Sequence, residues 1–143
     1  MKSTLTALCA LAALALSSLP ADAAENSDLR LIINGRSLSA TLEDSPAARD
    51  FRAMLPLTLK ISDFNGTEKI SDLPGRLSEK DAPSGVTPEA GDMAYYAPWG
   101  NLALFYKDFS WSRGLIRLGR ITSDIAPLVN AGNGDTLTIE EAK

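Results

Sequence analysis

Beyond residue 28, apolar side chains recur mostly at every second position, the spacing that places them on one face of a β-strand. Leu29, Leu31 and Ile33 are followed by Asn34-Gly35, then by Leu38, Ala40 and Leu42. Asn and Gly both tolerate the positive φ of a two-residue hairpin turn, so this stretch predicts two antiparallel strands joined there. The period then changes: Ala47, Phe51, Met54 and Leu55 share one helical face between Asp44-Ser45-Pro46 and Pro56. Asp44 or Ser45 supplies a cap, Pro46 suits the first turn, and Pro56 stops the helix.

Alternation returns at residues 57–61, a third strand ended by Asn65-Gly66. Residues 67–88 contain Pro74, Pro83, Pro88, Gly75 and Gly85 and predict mostly loop, with room for a short strand near Lys69-Ile70. Residues 92–96 and 102–106 predict a second hairpin turning at Pro98-Trp99-Gly100, and residues 115–121 a further strand. Strict alternation in that strand groups Arg117 with Leu115 and Gly119, and Arg120 with Ile116 and Leu118. Ser123 or Asp124 starts a helical turn through Leu128, Asn130 to Gly134 form a turn, and residues 136–139 form the last strand. Seven or eight strands linked as hairpins, with one or two short helices, make the fold mainly β, an antiparallel barrel or sandwich.

The N-terminal residues differ in kind. Lys2 precedes an apolar run over residues 5–16 and small residues ending in Ala21-Asp22-Ala23. That run is shorter than the ~20 residues a spanning helix needs, and the closing pattern suits a signal peptidase, so residues 1–23 read as a signal peptide and the mature domain as periplasmic or secreted. About 120 residues remain, enough for one core, with the domain spanning residues 28–139. Cleavage removes Cys9, the only cysteine, and the chain has no histidine, which excludes disulfides, Ser-His-Asp and Cys-His catalysis and ordinary zinc sites. No metal or cofactor is expected. With 14 basic and 18 acidic residues the net charge is −4, and no basic cluster offers a surface to nucleic acid or anionic lipid.

Gly91-Asp92-Met93-Ala94-Tyr95-Tyr96, Gly100-Asn101-Leu102-Ala103-Leu104-Phe105-Tyr106, Trp111 and Leu118-Gly119-Arg120-Ile121 resemble, in order and spacing, the second half of a cyclophilin. The first hairpin, the Ser45-Pro46 helix and Leu55-Pro56-Leu57-Thr58-Leu59 resemble the small bacterial proteins called cyclophilin-like. The resemblance covers residues 28–139 and implies a closed antiparallel barrel of eight strands capped by short helices. It also implies a groove with Trp111 at its edge. The arginine and glutamine of the cyclophilin proline groove have no counterpart: residues 58–74 offer Lys60, Phe64 and Lys69, and Asn101-Leu102-Ala103 stands where those enzymes carry a serine-glutamine pair.

Prolyl isomerisation needs none of the excluded side chains, since its barrier is torsional and yields to an apolar groove with one aimed donor. Arg113, Arg117 and Arg120 are the donors nearest the aromatic segment. Tyr95, Tyr96, Trp99, Phe105 and Trp111, with Arg113, are the candidate binding residues, because aromatic walls with polar tips suit peptides and small organic ligands. Neighbours such as Tyr95 and Tyr96 point to opposite faces of a strand, so half of these rings belong to the core. The expected function is a binding module for a peptide or small ligand without turnover; the alternatives are a weak peptidyl-prolyl isomerase and a structural domain without a groove.

Overall fold

The computed structural model describes residues 28–143; the expected leader over residues 1–23, with Cys9, lies outside the described residues. Strands β1 (Leu29–Ile33) and β2 (Arg36–Leu42) form the first hairpin, pairing Leu31 with Leu38. Asn34 and Gly35 at its tip take φ of 51° and 75°, the left-handed pair that such a turn requires. Helix α1 (Pro46–Ala53) is capped by Ser45, whose Oγ accepts from the Ala48 N–H at 3.1 Å. Such a cap contributes about 1 kcal/mol. Ala47, Ala48 and Phe51 are buried by this helix, and Met54 and Leu55 pack against the same core as the chain leaves it.

Then follow β3 (Leu57–Lys60), β4 (Ser62–Phe64), β5 (Glu68–Asp72), β6 (Gly85–Val86), β7 (Asp92–Tyr96), β8 (Asn101–Phe105), β9 (Ser112–Arg113), β10 (Leu115–Ile121), α2 (Ala126–Val129) and β11 (Thr136–Glu141). Nine strands form one antiparallel sheet in the order β3-β11-β1-β2-β10-β7-β8-β5-β4, while β6 and β9 pair as a separate ribbon. The sheet begins with β3 and ends with β4, which are separated in the chain by Ile61 alone, so it nearly closes into a barrel. Nine strands replace the expected eight because Ile61 splits one strand in two. Its N–H donates to Asp135 O at 3.0 Å and its carbonyl accepts from the Gly134 N–H at 2.8 Å. The half before it pairs with β11 and the half after it with β5.

Residues 67–88 are mostly loop, as the sequence suggests, and the short strand near Lys69-Ile70 is β5, five residues between β4 and β8. Its inward Lys69, 5% exposed, interrupts the hydrophobic pattern; the ammonium donates to Ala131 O at 2.8 Å and lies 3.3 Å from Asp63. The remaining residues 73–84 cap the barrel end, inserting Leu77 into the core and donating from Arg76 to Ala97 O at 2.8 Å. One sequence expectation needs correction: strict alternation fails in β10. The register against β7 slips between Arg117 and Gly119, so Leu118 and Gly119 together oppose Met93, and Arg120 joins Arg117 on the outer face, opposite Asp92 and Ala94. Gly119 is required there, since a Cβ would collide with the Thr41 carbonyl oxygen of β2.

Candidate functional site

Residues of β7 and β8 sort into two separate apolar clusters. Met93, Tyr95, Leu102 and Leu104 join the barrel interior, whereas Ala94, Ala103 and Phe105 form a second cluster with Leu115, against which Ile70, Val86 and Tyr96 pack. The second cluster therefore lies on the outer face of the sheet, beside the β6–β9 ribbon. Here a cavity of about 450 Å³ opens, its floor including Phe105, Asn101 and Leu115. The tips of two hairpins wall it: Phe64 and Asn65 from the β4–β5 turn, Tyr96 and Trp99 from the β7–β8 turn. Phe109, Ser112, Arg113 and Glu68 complete the lining.

Trp99 is 57% exposed, yet it is held between two rings. Its centroid lies 5.5 Å from Phe64 and 5.3 Å from Tyr96, with interplanar angles of 88° and 79°. Edge-to-face contacts of this kind contribute about 0.5–1.5 kcal/mol each beyond area burial, enough to orient an exposed indole.

Of the six candidate residues, four line the cavity: Tyr96, Trp99, Phe105 and Arg113. Tyr95 does not, because alternation turns it into the interior, where it is fully buried with its hydroxyl 3.4 Å from the Leu77 N–H. Trp111 stands outside the lining, half exposed, with its ring against Gly85 and the Arg113 guanidinium 5.6 Å from its centroid. Arg117 and Arg120 serve another purpose: both clamp the buried Asp92 carboxylate, Arg117 Nε at 3.1 Å and Arg120 Nη1 at 2.7 Å.

Sequence reasoning missed two buried or half-buried polar side chains of this cavity, Asn101 and Glu68. Asn101 is 3% exposed, and its Oδ1 is buried with no hydrogen-bond partner. Buried polar atoms are nearly always paired, so an orphan on a cavity floor marks a contact point for something else. Glu68 accepts a 3.3 Å hydrogen bond from the Thr67 hydroxyl. Burial pushes its carboxyl above the ordinary glutamate value, and the nearby Asp63 charge pushes the same way. Neither residue carries a sequence signal, because a single Glu or Asn in a strand looks solvent-facing until its neighbours in space are known. Phe64 does carry one: an aromatic residue directly before an Asn-Gly turn sits at a hairpin tip. Among the described residues, no group of three or more potential metal ligands converges.

A nearly closed antiparallel barrel with an aromatic-walled cavity on its outer surface is the class of protein these features define. A profile of the cyclophilin-like family matches residues 31–140, and the chain belongs to that family. No curated protein matches it. The solution structure of a hypothetical protein from Archaeoglobus fulgidus is similar, with a TM-score of 0.66 over 81% of this chain and 95% of that one, at 20% sequence identity. At that identity the likeness shows the fold alone.

Proposed function

We propose that this chain is an exported binding module that holds a small organic ligand or peptide segment in the outer cavity, without catalytic turnover. The observation that carries the reading is the combination of an ordered, exposed Trp99 with an unpaired Asn101 acceptor in one cavity of about 450 Å³. That volume suits a small ligand, and a lining of five aromatic and five polar residues with one leucine suits both burial and orientation. Export draws on the N-terminal pattern of Lys2, the apolar run and Ala21-Asp22-Ala23. Fractionation of the producing cell, with mass determination of the mature N-terminus, tests it; a chain retaining residues 1–23 in the cytoplasm refutes it.

Fluorescence separates the tryptophans. In Trp111→Phe protein, titration with pools of peptides and metabolites is expected to quench or shift Trp99 emission, and Trp99→Phe protein is expected to respond far less. No response in either variant counts against the binding module. A weak peptidyl-prolyl isomerase is the second reading, and it draws on the Arg113 guanidinium in the lining. Catalysis of a proline-peptide test substrate that Arg113→Ala abolishes would put that reading first.

A further inference from the structure

The polar groups of the cavity are unequal in kind. Its inner ones include two acceptors, Asn101 Oδ1, buried and unpaired, and the half-buried Glu68 carboxyl, while the Ser112 hydroxyl donates to the Ser110 carbonyl. Its cation, Arg113, is exposed and is engaged at the face of the Trp111 ring, which lies outside the lining. Asn101 stands opposite Tyr96, and Glu68 opposite Phe105, four residues farther along β8. At the rise of an antiparallel strand the two acceptors are anchored about 13 Å apart along the sheet, in a cavity that the rings of Tyr96, Trp99 and Phe105 also line. Aromatic faces carry negative potential and add to the attraction for a cation.

We infer that the cavity selects small amphipathic amines: an ammonium group beside Glu68, a flat apolar body among Trp99, Tyr96 and Phe105, and a second hydrogen-bond donor aimed at Asn101 Oδ1. This rests on the binding reading above and narrows it to one ligand chemistry. An anionic ligand of the same shape meets a carboxylate at one end and leaves the buried oxygen unpaired at the other, so both ends discriminate against it.

Tyramine is the probe, because an ammonium and a phenolic O–H flank its ring. Its controls are 3-(4-hydroxyphenyl)propionate, which exchanges the ammonium for a carboxylate, and 2-phenylethylamine, which lacks the hydroxyl. Titrations of the purified protein near neutral pH are followed by 1H–15N NMR at the Trp99 indole and the Asn101 side-chain amide. Tyramine is expected to shift both resonances and to bind about tenfold or more tighter than the carboxylate, the factor of one charge-assisted hydrogen bond. Glu68→Gln is expected to erase that preference, and Asn101→Leu the advantage of tyramine over 2-phenylethylamine. Asn101→Asp keeps an acceptor of the same shape, adds charge, and is expected to tighten tyramine; weaker binding in that variant overturns the assigned donor–acceptor direction. A carboxylate that binds as tightly as tyramine at these resonances overturns the amine selectivity and leaves the binding reading standing. If none of the three compounds moves either resonance, the amine inference falls, and the tryptophan titration with peptide and metabolite pools decides the binding reading separately.

Discussion

Replacing Asp92 tests whether the outer-face clamp holds β7 against β10, the strands that carry Tyr96 and Leu115 into the cavity. Asp92 is 1% exposed, and both of its carboxylate oxygens accept hydrogen bonds. Its Oδ1 accepts from Arg120 Nη1 at 2.7 Å, and its Oδ2 from Arg117 Nε at 3.1 Å and the Glu89 N–H at 2.9 Å. Hydrogen bonds to a charged group contribute about 1.5–3 kcal/mol each. The arginine side chains are 31% and 46% exposed, so guanidinium groups released by the mutation rehydrate, which pulls the loss toward the low end. We therefore expect Asp92→Ala to cost about 3 kcal/mol. Asp92→Asn keeps an acceptor for Glu89 while discarding the charge, and is expected to cost about 2 kcal/mol. In a domain of this size the alanine variant should melt roughly 10 °C lower. Urea denaturation with a constant slope, together with calorimetry, measures both variants. An Asp92→Asn protein within about 0.5 kcal/mol of the parent would refute the reasoning, because it would mean that the two guanidinium groups gain nothing net from the buried carboxylate.

At the closing seam, Tyr106 donates to Asp63 at 2.5 Å and, chiefly through that bond and then through Lys69, the Asp63 carboxyl is held below its ordinary value. A lowered folded-state value gives stability that is complete above the ordinary carboxylate range and lost as pH falls through the lowered one. Tyr106→Phe is therefore expected to raise the acid unfolding midpoint in a circular-dichroism titration, and an unmoved midpoint contradicts this. The same bond pushes the Tyr106 phenol up to about 12, so ultraviolet titration should show one tyrosine ionising well after an ordinary phenol. Gly119→Ala, which drives a Cβ into the Thr41 carbonyl, is expected to cost at least about 1–3 kcal/mol, and an unchanged urea midpoint counts against the bulge. Because burial raises the Glu68 carboxyl above 4.5, tyramine affinity should begin to fall at a higher pH than an exposed glutamate would give, a shift that Glu68→Gln removes; affinity that is flat across that range separates Glu68 from the amine.

Much of the fold was legible because its signals are local. Asn34-Gly35 names its own turn, Ser45-Pro46 its own helix start, and the alternation of Leu29, Leu31 and Ile33 its own buried face. The strands β7, β8 and β10 were equally visible, as were the aromatic residues between 95 and 111. What local pattern cannot carry is the identity of a partner across the barrel. That Lys69 of the short strand points inward was not legible, because the carbonyl that receives its ammonium, Ala131 O, is 62 residues away in the chain. The extra residue at Leu118 turns Arg120 to the outer face only because β10 must keep register with β7.

The candidate site divides the same way. By itself, the amino-acid sequence determined which rings exist, which chemistry the lack of histidine excludes, and that Tyr95 and Tyr96 must part company across a strand. Only the tertiary structure decided that Tyr96 rather than Tyr95 faces the cavity, that Trp111 stands beside it and not within it, and that Phe64, Glu68 and Asn101 meet there. The physical reason is that side-chain direction follows from covalent geometry along one strand, whereas the cavity is made by two hairpin tips and the 109–115 segment, whose separations in sequence leave no trace in any single one of them.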